Sequence, residues 1–146
     1  MSGPASLRRI EPLRDIGGRL LDVEKPARYL GGEYGSIAKE GAGLFTVALC
    51  FPDLYEIGMS NNAVRILYNG LNALAGLRCE RVFAPAPDFE KLLADLDLPL
   101  YTLETGIPLR DTDLLGFSIG YELSATNILA VLSAGGIPLL AAERGE

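Results

Sequence analysis

Histidine is absent from the 146 residues, and that single absence removes a large part of enzymology. Ser-His and Cys-His nucleophilic machinery, HExxH metal sites and any axial imidazole to haem or cobalamin all need it. Cysteine is nearly absent too. Cys50 and Cys79 are too far apart for a chelating CxxC pair, and Cys50 lies in an apolar run where a reduced thiol behaves as a small hydrophobe. Without a disulfide framework, a reducing cytoplasm is the expected compartment. Basic charge is also scarce: 13 Lys and Arg face 19 Asp and Glu, a net charge of -6. A nucleic-acid binder needs the opposite balance to displace counterions from phosphates. Residues 1–10 lack an apolar signal core, and Arg8-Arg9 followed by Ile10, Glu11 and Pro12 makes a poor twin-arginine signal. The most apolar window, 125–142, is interrupted by Thr126, Asn127, Ser133, Gly135, Gly136 and Pro138, so no membrane span is expected.

What remains is the composition of a globular domain, 49% hydrophobic and 22% charged, at a length that suits one domain. Residues 1–40 read as an N-terminal arm and 41–146 as the folded domain. The arm concentrates basic charge, with 6 basic and 4 acidic residues in positions 1–28, which suits either a partly ordered leader or an arm docking elsewhere. Leu13, Ile16, Leu20 and Leu21 carry a loose helical spacing before Lys25-Pro26.

From Gly43 the pattern becomes regular. The continuous apolar run Leu44–Phe51, ended by Pro52, predicts a strand buried on both faces, as parallel sheets require. Ser60 or Asn61 caps a helix with the stripe Val64, Leu67, Tyr68, Leu71 and Leu74, stopped at Gly76. A second strand spans Arg78–Ala84, a helix opens at Pro87-Asp88, a brief third strand covers Leu100–Leu103, and a fourth covers Leu114–Gly120. Ser124 caps a last helix with Ile128, Leu129 and Leu132, and Ile137–Ala141 begins another extended segment. The expectation is an α/β fold: an open, mostly parallel, doubly wound sheet of about four to five strands with flanking helices, cut short relative to a full domain.

Ligands of such sheets bind outside the carboxyl ends of the strands. Two loops compete for that place: Tyr55, Glu56, Gly58, Met59 and Ser60 after the first strand, and Gly120, Tyr121 and Glu122 after the fourth. Gly58 stands alone where a dinucleotide loop needs GxGxxG, Gly41-Ala42-Gly43 precedes the strand, and GxxxxGK[ST] is absent. Asp53 and Glu56 form a candidate acid/base pair, with helix capping as the plainer role.

These blocks also resemble a known family. Lys25–Tyr34, Phe51–Ser60, Glu80–Pro85 and Asp113–Leu123, in order, are similar to the N-terminal cobalamin-binding-like domain of bacterial radical SAM proteins of unassigned reaction. The resemblance runs from about Val23 to Glu146 and departs where an aromatic is expected, at Ala86 and Ala125. It implies an accessory domain packed on a radical SAM barrel, with cobalamin as a possible ligand at the two loops. The four-iron four-sulfur cluster and S-adenosylmethionine belong, by the same resemblance, to the barrel, because two isolated cysteines cannot form CxxxCxxC. It implies no activity for this chain alone. The alternatives are a free-standing α/β protein binding an anionic or nucleotide-like ligand at the carboxyl edge, and an interaction module using residues 1–40 as a docking arm.

Overall fold

The structure, a computed structural model, describes residues 8–144; the first seven residues of the arm and the last two of the chain lie outside the described residues. Three strands form one parallel sheet in the order β2-β1-β3: β1 (Phe45–Phe51), β2 (Leu77–Phe83) and β3 (Leu114–Phe117). Phe45 pairs with Leu77 and Val47 with Leu114. β1 sits in the middle because it is the most apolar segment, and every residue after Phe45 in it is buried.

Helices cover both faces. On one face α3 (Asn62–Asn72) lays Val64 and Tyr68 on Val47, Leu49, Phe51, Cys79 and Phe83. The Asn61 side chain accepts from the Val64 N–H at 3.2 Å, a cap contributing about 1 kcal/mol. Leu67 and Leu74 of the expected stripe point to solvent instead. On the other face α4 (Pro87–Asp95) and α5 (Ala125–Ala134) bury Phe89, Leu92, Leu93 and Val131 on Ala48, Cys50, Val82 and Ala84. In α5 the buried residues are Val131 and Leu132, while Leu129 is exposed. Ser124 stands at its N-terminal boundary but makes no capping bond.

The α/β class, the parallel sheet and its flanking helices are as expected, but Leu100–Leu103 is not a strand. It contributes one isolated bridge, Tyr101 with Pro108, in a turn held by Thr102 N–H to Ile107 O and Gly106 N–H to Thr102 O. Leu100 and Tyr101 are buried because the N-terminal segment and α5 wrap them, so their apolarity imitates a strand. Ile137–Leu140 forms no strand either.

The segment before Gly41 shares the core of the sheet. A short helix α1 (Pro12–Asp15) and two 3-10 turns, Gly17–Asp22 and Pro26–Tyr29, replace the single expected helix, because Gly17-Gly18 interrupts it and Gly17 adopts a φ of 61°. Ile10, Ile16, Leu20, Val23 and Tyr29 are buried in the α4/α5 layer, and the Tyr29 ring stacks on Phe89 with centroids 3.5 Å apart. Leu13 and Leu21 face solvent.

Candidate functional site

The parallel register brings both predicted loops to the carboxyl edge of the sheet, where they touch. The short helix α2 (Tyr55–Met59) follows β1, and the 3-10 turn Glu122–Ser124 follows β3. The Tyr121 hydroxyl donates to Asp53 Oδ2 at 2.7 Å, and the Asn127 amide donates to the Pro52 carbonyl at 2.9 Å. The carboxylate beside it raises the Tyr121 phenol above its ordinary range. Asp53 also ties the loop to β2, its carbonyl accepting from Ala84 N–H at 3.0 Å. Asp53 therefore works as a brace.

Glu56 is separated from Asp53 in role. Its own backbone N–H, Arg28 (2.9 Å) and Lys25 (3.2 Å) hold its carboxyl down at about 2, so it stays ionised and serves as an anchor for the N-terminal segment. Tyr55 packs edge-on against Phe83; burial and the neighbouring Glu33 push its hydroxyl up to about 12. Gly58 is sealed: an added Cβ would stand 2.2 Å from Phe83 Cε1 and 3.2 Å from Phe51 Cβ. The Met59 thioether accepts from the Arg81 guanidinium at 3.1 Å, and the Ser60 hydroxyl donates to the Ile57 carbonyl at 2.9 Å. Gly120 and Glu122 are exposed, and a Cβ added at Gly120 would stand in open space. Of the eight candidates, then, Tyr121 joins the two loops, Glu56 clamps the arm, Tyr55, Gly58 and Met59 pack inward, and Ser60, Gly120 and Glu122 stay at the rim.

Sequence reasoning missed the charged groups of β2. The Arg81 guanidinium donates to Glu104 Oε1 at 2.6 Å and to Glu33 Oε2 at 3.2 Å, and lies 4.7 Å from the centre of the Tyr68 ring. Glu104 also accepts from the Arg81 backbone N–H at 2.6 Å, and burial pushes its carboxyl above the usual range despite that pairing. On the opposite face Glu80, with no exposed surface, accepts from Thr102 (2.5 Å), Thr105 (2.6 Å) and lies 3.5 Å from Arg78. The signal was available: a strand read as buried on both faces that carries Arg78, Glu80 and Arg81 must pair them internally.

A cavity of about 810 Å³ lies at the other end of the sheet, among Gly41–Gly43, Thr46, Arg78 and Asp113. Its arginines are engaged, Arg9 on Glu40, Arg14 on Asp15 and Arg78 on Thr46. Arg8, also in its lining, is largely exposed and lies 3.6 Å from Asp15.

Comparison with family models matches residues 63–146 to the family described as radical SAM proteins, N-terminal, a stretch longer than half of the chain. The chain belongs to that family. Among curated proteins and among solved structures, none matches. The matched stretch holds α3 from its second residue, β2, α4, β3 and α5, and with them Tyr121, Arg81 and Glu104.

Proposed function

We propose that this chain is the accessory N-terminal domain of a radical SAM iron–sulfur protein, packing on the catalytic barrel and shaping access to it, with no radical chemistry of its own. The family match over residues 63–146 carries the reading. The thiols agree with it: Cys50 and Cys79 are both fully buried, burial pushes Cys79 up to about 12 and Cys50 higher, and a cluster ligand must be a thiolate. Free buried thiols also suit a reducing cytoplasm, which belongs to the same proposal.

The carboxyl edge supports an interface more than a cobalamin seat. Cobalt would find no imidazole in this chain, and the floor on which a macrocycle would rest is bridged by Tyr121 to Asp53 and filled under Gly58 by Phe83. These residues do not fit a corrin. They present instead exposed apolar side chains at the rim, Ile57, Ile119, Tyr121 and Leu123, of the sort that a second protein surface covers.

The test is isolation of the native gene product from its source cell. A mass several-fold above 15.6 kDa, or a stoichiometric partner, with the absorption of an iron–sulfur cluster is expected. A product of 15.6 kDa that co-isolates with no cluster protein overturns the reading.

A further inference from the structure

The two edges of the sheet are finished differently. At the β2 edge the outward backbone groups are bonded: Asn72 accepts from Cys79 N–H and donates to its carbonyl (3.0 and 2.9 Å), while Glu104 and Leu103 do the same for Arg81 (2.6 and 2.9 Å). At β3, Ser118 N–H donates to Cys50 O at 2.8 Å, so by alternation the amides of Leu115 and Phe117 face away from β1. Among the described residues no group meets them. No residue of β3 is fully buried, and Leu114 is 51% exposed. The run Leu114–Ile119 has no charge or proline to discourage pairing, which an apolar edge left open ordinarily needs.

Handedness says what belongs there. The chain crosses from β1 to β2 through α3 on one face, then from β2 past β1 to β3 with α4 on the other. α5 follows β3 and packs on the same face as α4. A right-handed crossover on that face moves in the direction already taken from β2 to β3, so it delivers the next strand beyond β3. Residues 137–144 form no such strand.

We propose that the free edge of β3 is a strand acceptor, filled in the radical SAM protein by a parallel strand of the polypeptide that follows α5. This rests on the accessory-domain reading above and specifies its interface. Hydrogen exchange of the full 146-residue chain, set beside that of the native product from its source cell, tests it. The expected result is amides of Leu115 and Phe117 that exchange at least ~10-fold more slowly in the native product, as newly paired amides do, with β2 unchanged. Protection elsewhere on the domain but not at β3 leaves the accessory role standing and overturns the strand acceptor. Identical exchange throughout overturns both. Slowing at β3 that appears with rising concentration of the 146-residue chain alone makes a second copy the occupant, and overturns the proposal equally.

Discussion

Replacing Arg81 by methionine measures what the buried ionic cluster contributes. Methionine keeps an unbranched apolar stem but removes the guanidinium, and with it the donors to Glu104 (2.6 Å) and Glu33 (3.2 Å) and the cation over the Tyr68 ring. The Glu104 side chain has no exposed surface, so its charge is left in a low dielectric without a cationic partner, held by the backbone N–H of residue 81. Breaking a buried pair this way costs about 3–5 kcal/mol, and for a domain of this size that lowers the melting temperature by roughly 10–20 °C. Adding Glu104→Gln removes the stranded charge and should restore about 1–3 kcal/mol of it. The pH dependence has a definite sign. Burial already holds Glu104 above its ordinary 4.5, and loss of Arg81 raises it further. A carboxyl raised in the folded state favours folding when protonated, so the penalty is smallest in acid and grows as pH rises through the raised value. Urea denaturation followed by circular dichroism between acid and neutral pH reads all three quantities. An Arg81→Met cost below about 1 kcal/mol, or a double variant no better than the single one, refutes the argument that this pair is buried and dependent.

Four further outcomes follow from the geometry. Gly58→Ala drives a methyl into Phe83 at 2.2 Å and should lose about 1–3 kcal/mol in urea denaturation despite the helical preference for alanine; an unchanged midpoint would show that α2 lifts away freely. Asn61→Ala should cost about 1 kcal/mol by the same measurement, with Asn61→Ser close to neutral. Glu56 has its folded carboxyl depressed to about 2, so the stability it supplies is present above its ordinary 4.5 and lost as pH falls toward 2; melting curves of wild type and Glu56→Gln should therefore converge in acid. Ultraviolet titration should place Tyr121 above the ordinary phenol, and Asp53→Asn should return it to that range, whereas a normal Tyr121 in the wild type would mean that the two loops do not meet.

The layers of the fold were legible because each rests on local chemistry: a continuous apolar run for β1, an asparagine cap with a 3.6-residue stripe for α3, a proline-led amphipathic turn for α4. Leu100–Leu103 misled because apolarity reports burial, and burial there comes from packing under Ile10 and α5 with no partner strand. At the candidate site, the convergence of the loops after β1 and β3 was legible from the parallel sheet. The bond that joins them was not, since Asp53 and Tyr121 are 68 residues apart and nothing local ties a tyrosine to a carboxylate. The partners of Arg81 were hidden for the same reason: Glu33, Ser36 and Glu104 arrive from two other segments. The strand announced that it held charges to be neutralised, and only the fold chose the groups.

The basic surplus of the N-terminal segment takes on a different meaning once its partners are placed. Arg8 faces Asp15 and Arg14 faces Glu11 and Asp15 within the segment itself. Arg9 reaches Glu40, Arg19 reaches Asp95, and Lys25 and Arg28 share Glu56. Every basic side chain of positions 8–28 thus lies against a carboxylate, and three of those carboxylates sit beyond the basic segment, on the chain just before β1, on α4 and on α2. Exposed pairs of this sort add little stability one by one, so they serve to orient the segment. The energy lies beneath them, in buried Ile10, Ile16, Leu20, Val23 and Tyr29. A segment held by its apolar residues, with its charges already matched, has no spare cations to steer an acidic partner. Association with a catalytic domain then falls to the surfaces that remain apolar and uncovered, and among these the edge of β3 combines exposed side chains with unpaired backbone.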